Sequence, residues 1–291
     1  METDLSPPAG KQLDASVASL WRYPVKSMMG EELNASEVTS RGLLGDRHFA
    51  LRDPSDGKVV SAKNPKKWPN LFDFRAAFVD PPHSGSAIPV VRITLPDGTI
   101  MTTGQEGLSD RLSAVLGRRV TFDEVQDAEI WAGSAAGSQT ARAEEYWPDI
   151  EELDYQDTVT DFDLPEGTFF DIAVVHLITT ATIDHLHGLY PEGRFEVRRF
   201  RPNIVLTTGP GEQGFVEDGW IGHTLTIGDE VRLRITGPCP RCVMTTLPQG
   251  DLPKDRGILR TAAKHNDVNV GVYADVIRGG TIRRGDGVRL T

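Results

Sequence analysis

The feature that most constrains this chain is the shortness of its apolar runs. Turn residues break them at close and fairly regular intervals, which is the pattern of many short strands in a barrel. Val90-Val-Arg-Ile-Thr-Leu95, Pro96-Asp-Gly98 and Thr99-Ile-Met-Thr102 read as a hairpin whose Asp-Gly pair supplies the left-handed backbone of a tight turn. Val38 and Phe49-Ala-Leu51 flank the turn-like stretch Ser40 to Gly45, and Asp53-Pro-Ser-Asp-Gly57 separates two more short runs. Leu108, Leu112, Val115 and Leu116 fall at helical spacing, with Gly117 placed to end that helix. Further strands are expected at 174–179, 203–207, 224–227, 231–235, 268–277 and 288–290, and helices at 182–190 and 257–264. Gly228-Asp-Glu-Val-Arg-Leu233 and Gly285-Asp-Gly-Val-Arg-Leu290 resemble each other as two turn-into-strand solutions rather than as a duplicated domain.

These signals divide the chain. Residues 1–14 read as a disordered tail, 15–125 as a small mostly-β unit with one helix, and 164–291 as a second β-rich unit. Between them, 126–163 reads as a linker or excursion, with a Gly-Ser-Ala-Ala-Gly-Ser string, an acidic run from Glu144 to Asp157, and Trp131 and Trp147 to dock it. The expected fold class is β-rich α+β. The hydrophobic share of 38% suffices to bury a core. A net charge of −11 argues against nucleic acid as a partner, although a local basic pocket is compatible with it. No apolar stretch approaches the roughly 20 residues of a membrane span, and the N-terminus has no apolar signal core. Cytoplasmic residence without a membrane partner is therefore expected.

The chemistry concentrates in Gly237-Pro-Cys-Pro-Arg-Cys242, which holds both cysteines of the chain. Two cysteines make neither a disulfide scaffold nor a four-cysteine metal site. A thiolate is the protein's ligand for thiophilic metals, and Arg241, with Arg199 and Arg201 expected nearby, favours that form of Cys242. Alone, the string also fits a redox dithiol, though strands rather than a thioredoxin-like βαβ pattern surround it. Phe200-Arg-Pro-Asn203 offers a guanidinium fork suited to phosphate, and Tyr23-Pro-Val-Lys-Ser27 offers an ammonium and a hydroxyl. Asp46-Arg47 reads equally as a local ion pair at a turn. His176, His185 and His187 lack the i,i+4 spacing of helical metal ligands and read as surface or core histidines. Glu151, Glu152, Asp154 and Asp157 read as a solvated face. With neither a Walker motif nor a Gly-x-Gly-x-x-Gly, nucleotides are not implied.

Taken in order, Tyr-Pro-Val-Lys-Ser, Gly-Leu-x-Gly-Asp-Arg, Phe-Arg-Pro-Asn, Glu217-Asp-Gly-Trp220, Ile-Gly-Asp, Cys-Pro-Arg-Cys and the closing Gly271-Val-Tyr273 and Ile-x-x-Gly-Asp286 resemble the MOSC family, preceded by its N-terminal β-barrel domain. The resemblance implies a MOSC barrel packed against a smaller N-terminal barrel-like domain, with the molybdenum cofactor (molybdopterin) between them. It implies Cys242 as metal ligand and catalytic residue, and Lys26, Ser27, Arg47, Arg201, Asn203 and Tyr273 as cofactor-binding residues. The Ser that some relatives carry two residues before the ligand cysteine is Pro240 here. The implied activity is reduction of small N-oxygenated substrates: amidoximes, hydroxylamines and N-hydroxylated bases. The sequence given shows no flavin, haem or iron–sulfur motif and no C-terminal [2Fe–2S] extension, so electrons are expected from a separate ferredoxin- or cytochrome-type protein with its reductase. The alternatives are a sulfur or cofactor carrier with a persulfide on Cys242, and a dithiol redox module using Cys239 and Cys242.

Overall fold

Along the first strand, β1 (Lys11–Arg22), Ala15 and Val17 are buried two apart, and after a bulge between Val17 and Ser19 the alternation resumes at Leu20 and Arg22, the pattern of a strand with one face inward. A computed structural model describes residues 11–125, 141–154 and 156–291; the tail before Lys11, the Gly-Ser string and Trp131 lie outside the described residues. Short strands follow: β2 (Glu31–Leu33), β3 (Ala35–Thr39), β4 (Gly42–Leu43), β5 (Phe49–Arg52), β6 (Arg75–Phe78), β7 (Val91–Thr94), β8 (Ile100–Thr102) and β9 (Thr121–Glu124). β7 and β8 form the expected hairpin through Pro96-Asp-Gly98, and Gly117 ends the helix Leu108–Leu116 in the left-handed conformation. The sheet β6-β7-β8 and the pair β5-β9 pack with that helix around Phe49, Leu51, Phe74, Ile93 and Leu112.

The second half supplies β10 (Arg142–Trp147), β11 (Thr158–Asp163), β12 (Val175–Thr179), β13 (Ile204–Thr207), β14 (Thr224–Ile227), β15 (Val231–Pro240), β16 (Asn269–Arg278), β17 (Gly280–Arg283) and β18 (Gly287–Leu290). Seven strands close a barrel in the order β13-β12-β16-β15-β14-β18-β1, with β1 hydrogen-bonded back to β13. Its interior holds Val17, Leu20, Leu177, Leu206, Leu233 and Val272. The helices Thr180–Leu189 and Gly257–Asn266 pack outside it, contributing Leu186, Ile258 and Ala262 to a separate cluster. The β-rich α+β class therefore stands. Among the described residues no helix is long and apolar enough to cross a membrane.

Three boundaries differ from the sequence division. Lys11 and Gln12, assigned to a tail, pair with Leu290 and Arg289 of β18, whose backbone on that side would otherwise be left unpaired. β1, assigned to the first unit, completes the barrel of the second, and β17 returns to pair with β3. Within the expected linker, β10 and β11 form a hairpin in register from Arg142↔Asp163 to Trp147↔Thr158. Its charges hid it: Lys58 Nζ donates to Glu144 at 2.8 Å and to Asp161 at 2.7 Å, so the polar face is paired with the body.

Candidate functional site

Segments far apart in sequence meet at one cavity between the two units, enclosing about 760 Å³ with its open mouth included. The loop after β1 brings Lys26 and Ser27, and the turn before β5 brings Arg47. The segment before β13 brings Arg201 and Asn203, the end of β15 brings the cysteines, and β16 brings Tyr273. All seven residues singled out in the sequence line this space.

The backbone reaches this arrangement under strain. Ser27, Arg47 and Arg201 hold positive φ angles of 66°, 48° and 54°. For a residue with a Cβ the left-handed region costs about 1–2 kcal/mol, and such outliers collect where side chains are aimed for function. At Arg201 this conformation ends the helical turn Val197–Phe200. Gly271 (φ 81°) is needed for a different reason: a Cβ there would lie 2.5 Å from His176 Nε2, so only glycine lets β16 approach β12.

The cavity wall is a mesh of charges. Lys26 Nζ donates to Phe169 O at 2.7 Å and to Asp171 Oδ1. Lys63 Nζ lies 3.5 Å from Asp171 Oδ2 and 3.4 Å from Glu145 Oε2. Burial opposes the Asp171 carboxylate, yet Lys26 and Lys63 hold its pKa well below the usual carboxylate range. Burial lowers the pKa of Lys26 against the pull of Asp171. Arg47 pairs with the buried Asp46, whose carboxylate also accepts from Tyr23 N–H at 2.7 Å and Asn203 Nδ2 at 2.8 Å. The Asn203 amide is otherwise spent on Trp21 O and the His176 N–H. Asn203 thus braces the wall. Arg201 donates to Met28 O at 2.7 Å, and burial lowers its pKa to about 10, still protonated at neutral pH.

The cysteines part company. Cys239 is 1% exposed, and its sulfur accepts from Arg241 Nη1 at 2.5 Å beside the Tyr273 hydroxyl. Cys242 is half-buried, and neither forms a disulfide. Lys63 and Arg241 favour the Cys242 thiolate, as expected of nearby positive charge, but burial outweighs them. Burial, with Glu145 adding, pushes its pKa up to about 12 against the opposing charges of Lys63 and Arg241. Arg199 cannot help, because its fully buried guanidinium donates to the carbonyls of Arg194, Thr245, Leu247 and Pro253.

Lys63, Asp171, Arg241 and His176 line the same space without having been singled out as binding residues, and Glu145 reaches the Cys242 thiol from β10. His176 is a buried histidine bonded to Val270 O at 3.2 Å, kept neutral by burial and by Arg241. Glu145 belongs to the run taken as acidic surface, and only the buried side of the β10 alternation could have exposed it. Glu151, Glu152, Asp154 and Asp157 are the solvated residues expected. Outside the cavity, Glu217 of the Glu-Asp-Gly-Trp string braces the Thr179 cap of the helix Thr180–Leu189, accepting from Thr179 Oγ1 at 2.6 Å and Thr182 Oγ1 at 2.7 Å.

Residues 14–141 match the MOSC N-terminal beta barrel domain and residues 166–289 match the MOSC domain. Mitochondrial amidoxime-reducing component 1 of Mus musculus is 27% identical over 298 residues, covering 94% of this chain and 82% of that protein. The Homo sapiens protein of the same name is 26% identical over 294 residues, with the same coverage of 94% and 82%. Molybdenum cofactor sulfurase of Oryza sativa subsp. japonica is 25% identical over 301 residues, 91% of this chain but 33% of that protein.

Proposed function

Because the chain belongs to the MOSC family and carries the MOSC N-terminal beta barrel domain ahead of the MOSC domain, we propose that its cavity binds a molybdenum cofactor and that it reduces N-oxygenated substrates. The convergence of cationic donors and one half-buried thiol on a single space carries this reading.

The residues present suit such a group. Arg241 Nε is buried with no hydrogen-bond partner, a donor in the cavity wall that an anionic ligand would satisfy. Lys26, Ser27, Arg47 and Arg201 would hold a phosphate-bearing pterin by charge-assisted hydrogen bonds. Cys242 would offer the sulfur ligand, and Tyr273 closes the wall beside Cys239. Asn203 contributes by fixing Asp46. Bound there, the cofactor supplies the two-electron chemistry that takes oxygen from an amidoxime, hydroxylamine or N-hydroxylated base. Conversion of R–NHOH to R–NH2 consumes two electrons and two protons and releases water. The electrons would come from a separate ferredoxin- or cytochrome-type protein with its reductase. The chain's own residues bind, orient and exclude water, and the neutral Cys242 thiol must release its proton for the sulfur to ligate.

Molybdenum and pterin quantified on protein made under molybdate-replete conditions should be stoichiometric. An artificial donor should then drive turnover of a hydroxylamine or amidoxime. Metal-loaded protein that reduces no member of a broad N-oxygenated panel would defeat the reductase assignment. It would leave a second reading, favoured by the likeness to molybdenum cofactor sulfurase: a carrier of cofactor or of sulfur as a Cys242 persulfide.

A further inference from the structure

Two of the cationic residues are held by aromatic rings in an unbroken alternation. The Arg201 guanidinium lies over the Phe72 ring at 5.4 Å and over the Tyr23 ring at 4.1 Å. The Arg47 guanidinium lies over the same Tyr23 ring at 4.9 Å and over Phe170 at 5.4 Å. Tyr23 is the common member. It is buried and fixed at every polar atom: its N–H donates to Asp46 Oδ1 at 2.7 Å, its C=O accepts from Arg47 N–H at 2.8 Å, and its hydroxyl donates to Pro202 O at 3.3 Å.

From this we infer that Tyr23 is a positioning residue that sets the orientation and spacing of the Arg47 and Arg201 guanidiniums toward one anionic group. A guanidinium stacked on a ring spends its face and keeps its N–H edge for hydrogen bonds in its own plane. Each of these arginines commits one terminal nitrogen to the protein, Arg201 to Met28 O and Arg47 to Asp46. The shared ring therefore fixes two forks without consuming the donors that a phosphate needs. Both arginines also hold left-handed backbone, the kind of outlier that collects where side chains are aimed for function. The inference rests on the function proposed above only for the identity of the anion as a cofactor phosphate.

The test compares wild type, Tyr23→Phe, Tyr23→Leu and Phe170→Leu, each confirmed folded by circular dichroism. Inorganic phosphate is titrated into metal-free protein by calorimetry, and pterin retention is followed on metal-loaded protein through dialysis. Tyr23→Phe keeps the ring and should bind phosphate within about twofold of wild type. Tyr23→Leu removes a contact from each arginine and should weaken phosphate about tenfold, and Phe170→Leu, which of the two arginines loses only the Arg47 contact, about threefold. Pterin loss should follow the same order. Unchanged affinity in Tyr23→Leu overturns the inference, as does an equal loss in Tyr23→Phe, which would assign the effect to the hydroxyl. Should Tyr23→Leu not fold, unchanged affinity in Phe170→Leu decides against it. A wild-type protein that ignores phosphate also overturns it. Metal-loading conditions that yield no pterin while the phosphate order holds count against the proposed cofactor and leave the role of Tyr23 standing.

Discussion

At the scale of single residues, the strained backbone makes an unusual forecast. Ser27 has φ 66°, and its hydroxyl oxygen accepts from Ala62 N–H at 3.0 Å. Glycine and alanine both remove that acceptor, but only glycine relaxes the backbone. Ser27→Gly should therefore be more stable than Ser27→Ala by about 1 kcal/mol, the reverse of the order in a helix, as thermal melts can determine. The cysteines separate just as sharply. Cys242→Ser should lose molybdenum, because a hydroxyl is a poor substitute for a thiolate. Cys239→Ser should keep it, since an oxygen still accepts from Arg241. In metal-free protein the Cys242 thiol, with its pKa pushed up to about 12 by burial and Glu145, should alkylate slowly at neutral pH. The rate should climb about tenfold per pH unit as thiolate forms. Glu145→Gln should speed it at any fixed pH, and an unchanged rate would detach that carboxylate from the thiol.

Between elements, the Lys26–Asp171 pair ties the loop after β1 to the segment leading into β12. The Asp171 pKa is depressed on folding, so its stabilisation is complete above about pH 4 and is lost as pH falls through the folded-state value. Asp171→Asn should cost about 2 kcal/mol at neutral pH, less than a dry ion pair because the Asp171 side chain is 30% exposed. It should also flatten the acid limb of the stability curve, which denaturant melts across pH will report. The strands lead to a blunter expectation. A fragment of residues 164–291 lacks β1 and leaves β13 and β18 as open edges, so it should aggregate or stay unfolded. A sharp thermal transition from that fragment would refute it. These cases also mark how much was legible. The β7–β8 hairpin, the helix at 108–116 and the motif-borne residues Lys26, Arg47, Arg201 and Cys242 could be read locally, because turn chemistry and ordered strings identify them. Lys63 and Asp171 could not, and Glu145 showed only as a position in the alternation of β10. Their positions depend on long-range placement, such as the Val59↔Ala143 bridge that sets β10 against the body, and no local pattern encodes that.

Across the whole molecule, the net charge of −11 coexists with a cavity walled by Lys26, Lys63, Arg47, Arg201 and Arg241. That wall draws on both units, so a ligand bound to it stabilises the assembled state of both. Loaded protein should melt on the order of ten degrees above metal-free protein if the cofactor is present at about a thousandfold its dissociation constant. Two well-separated transitions in the loaded form would contradict a shared site. One detail of packing reaches further. The residues just past Cys242 leave the barrel strand β15, and Val243 and Leu247 enter the apolar core built on Phe49, Phe74 and Leu112. β1 makes the opposite exchange, from the first unit into the second. The two halves are dovetailed, and neither is an interchangeable module. A chimaera joined between residues 125 and 164 with halves from distant relatives would pair a foreign β1 with its barrel and press a foreign Val243 and Leu247 into its core. The two halves must therefore drift together in evolution, substitutions in the first core screened by where the second presents its cysteines, and substitutions in the second by where the first presents its lysines and Arg47.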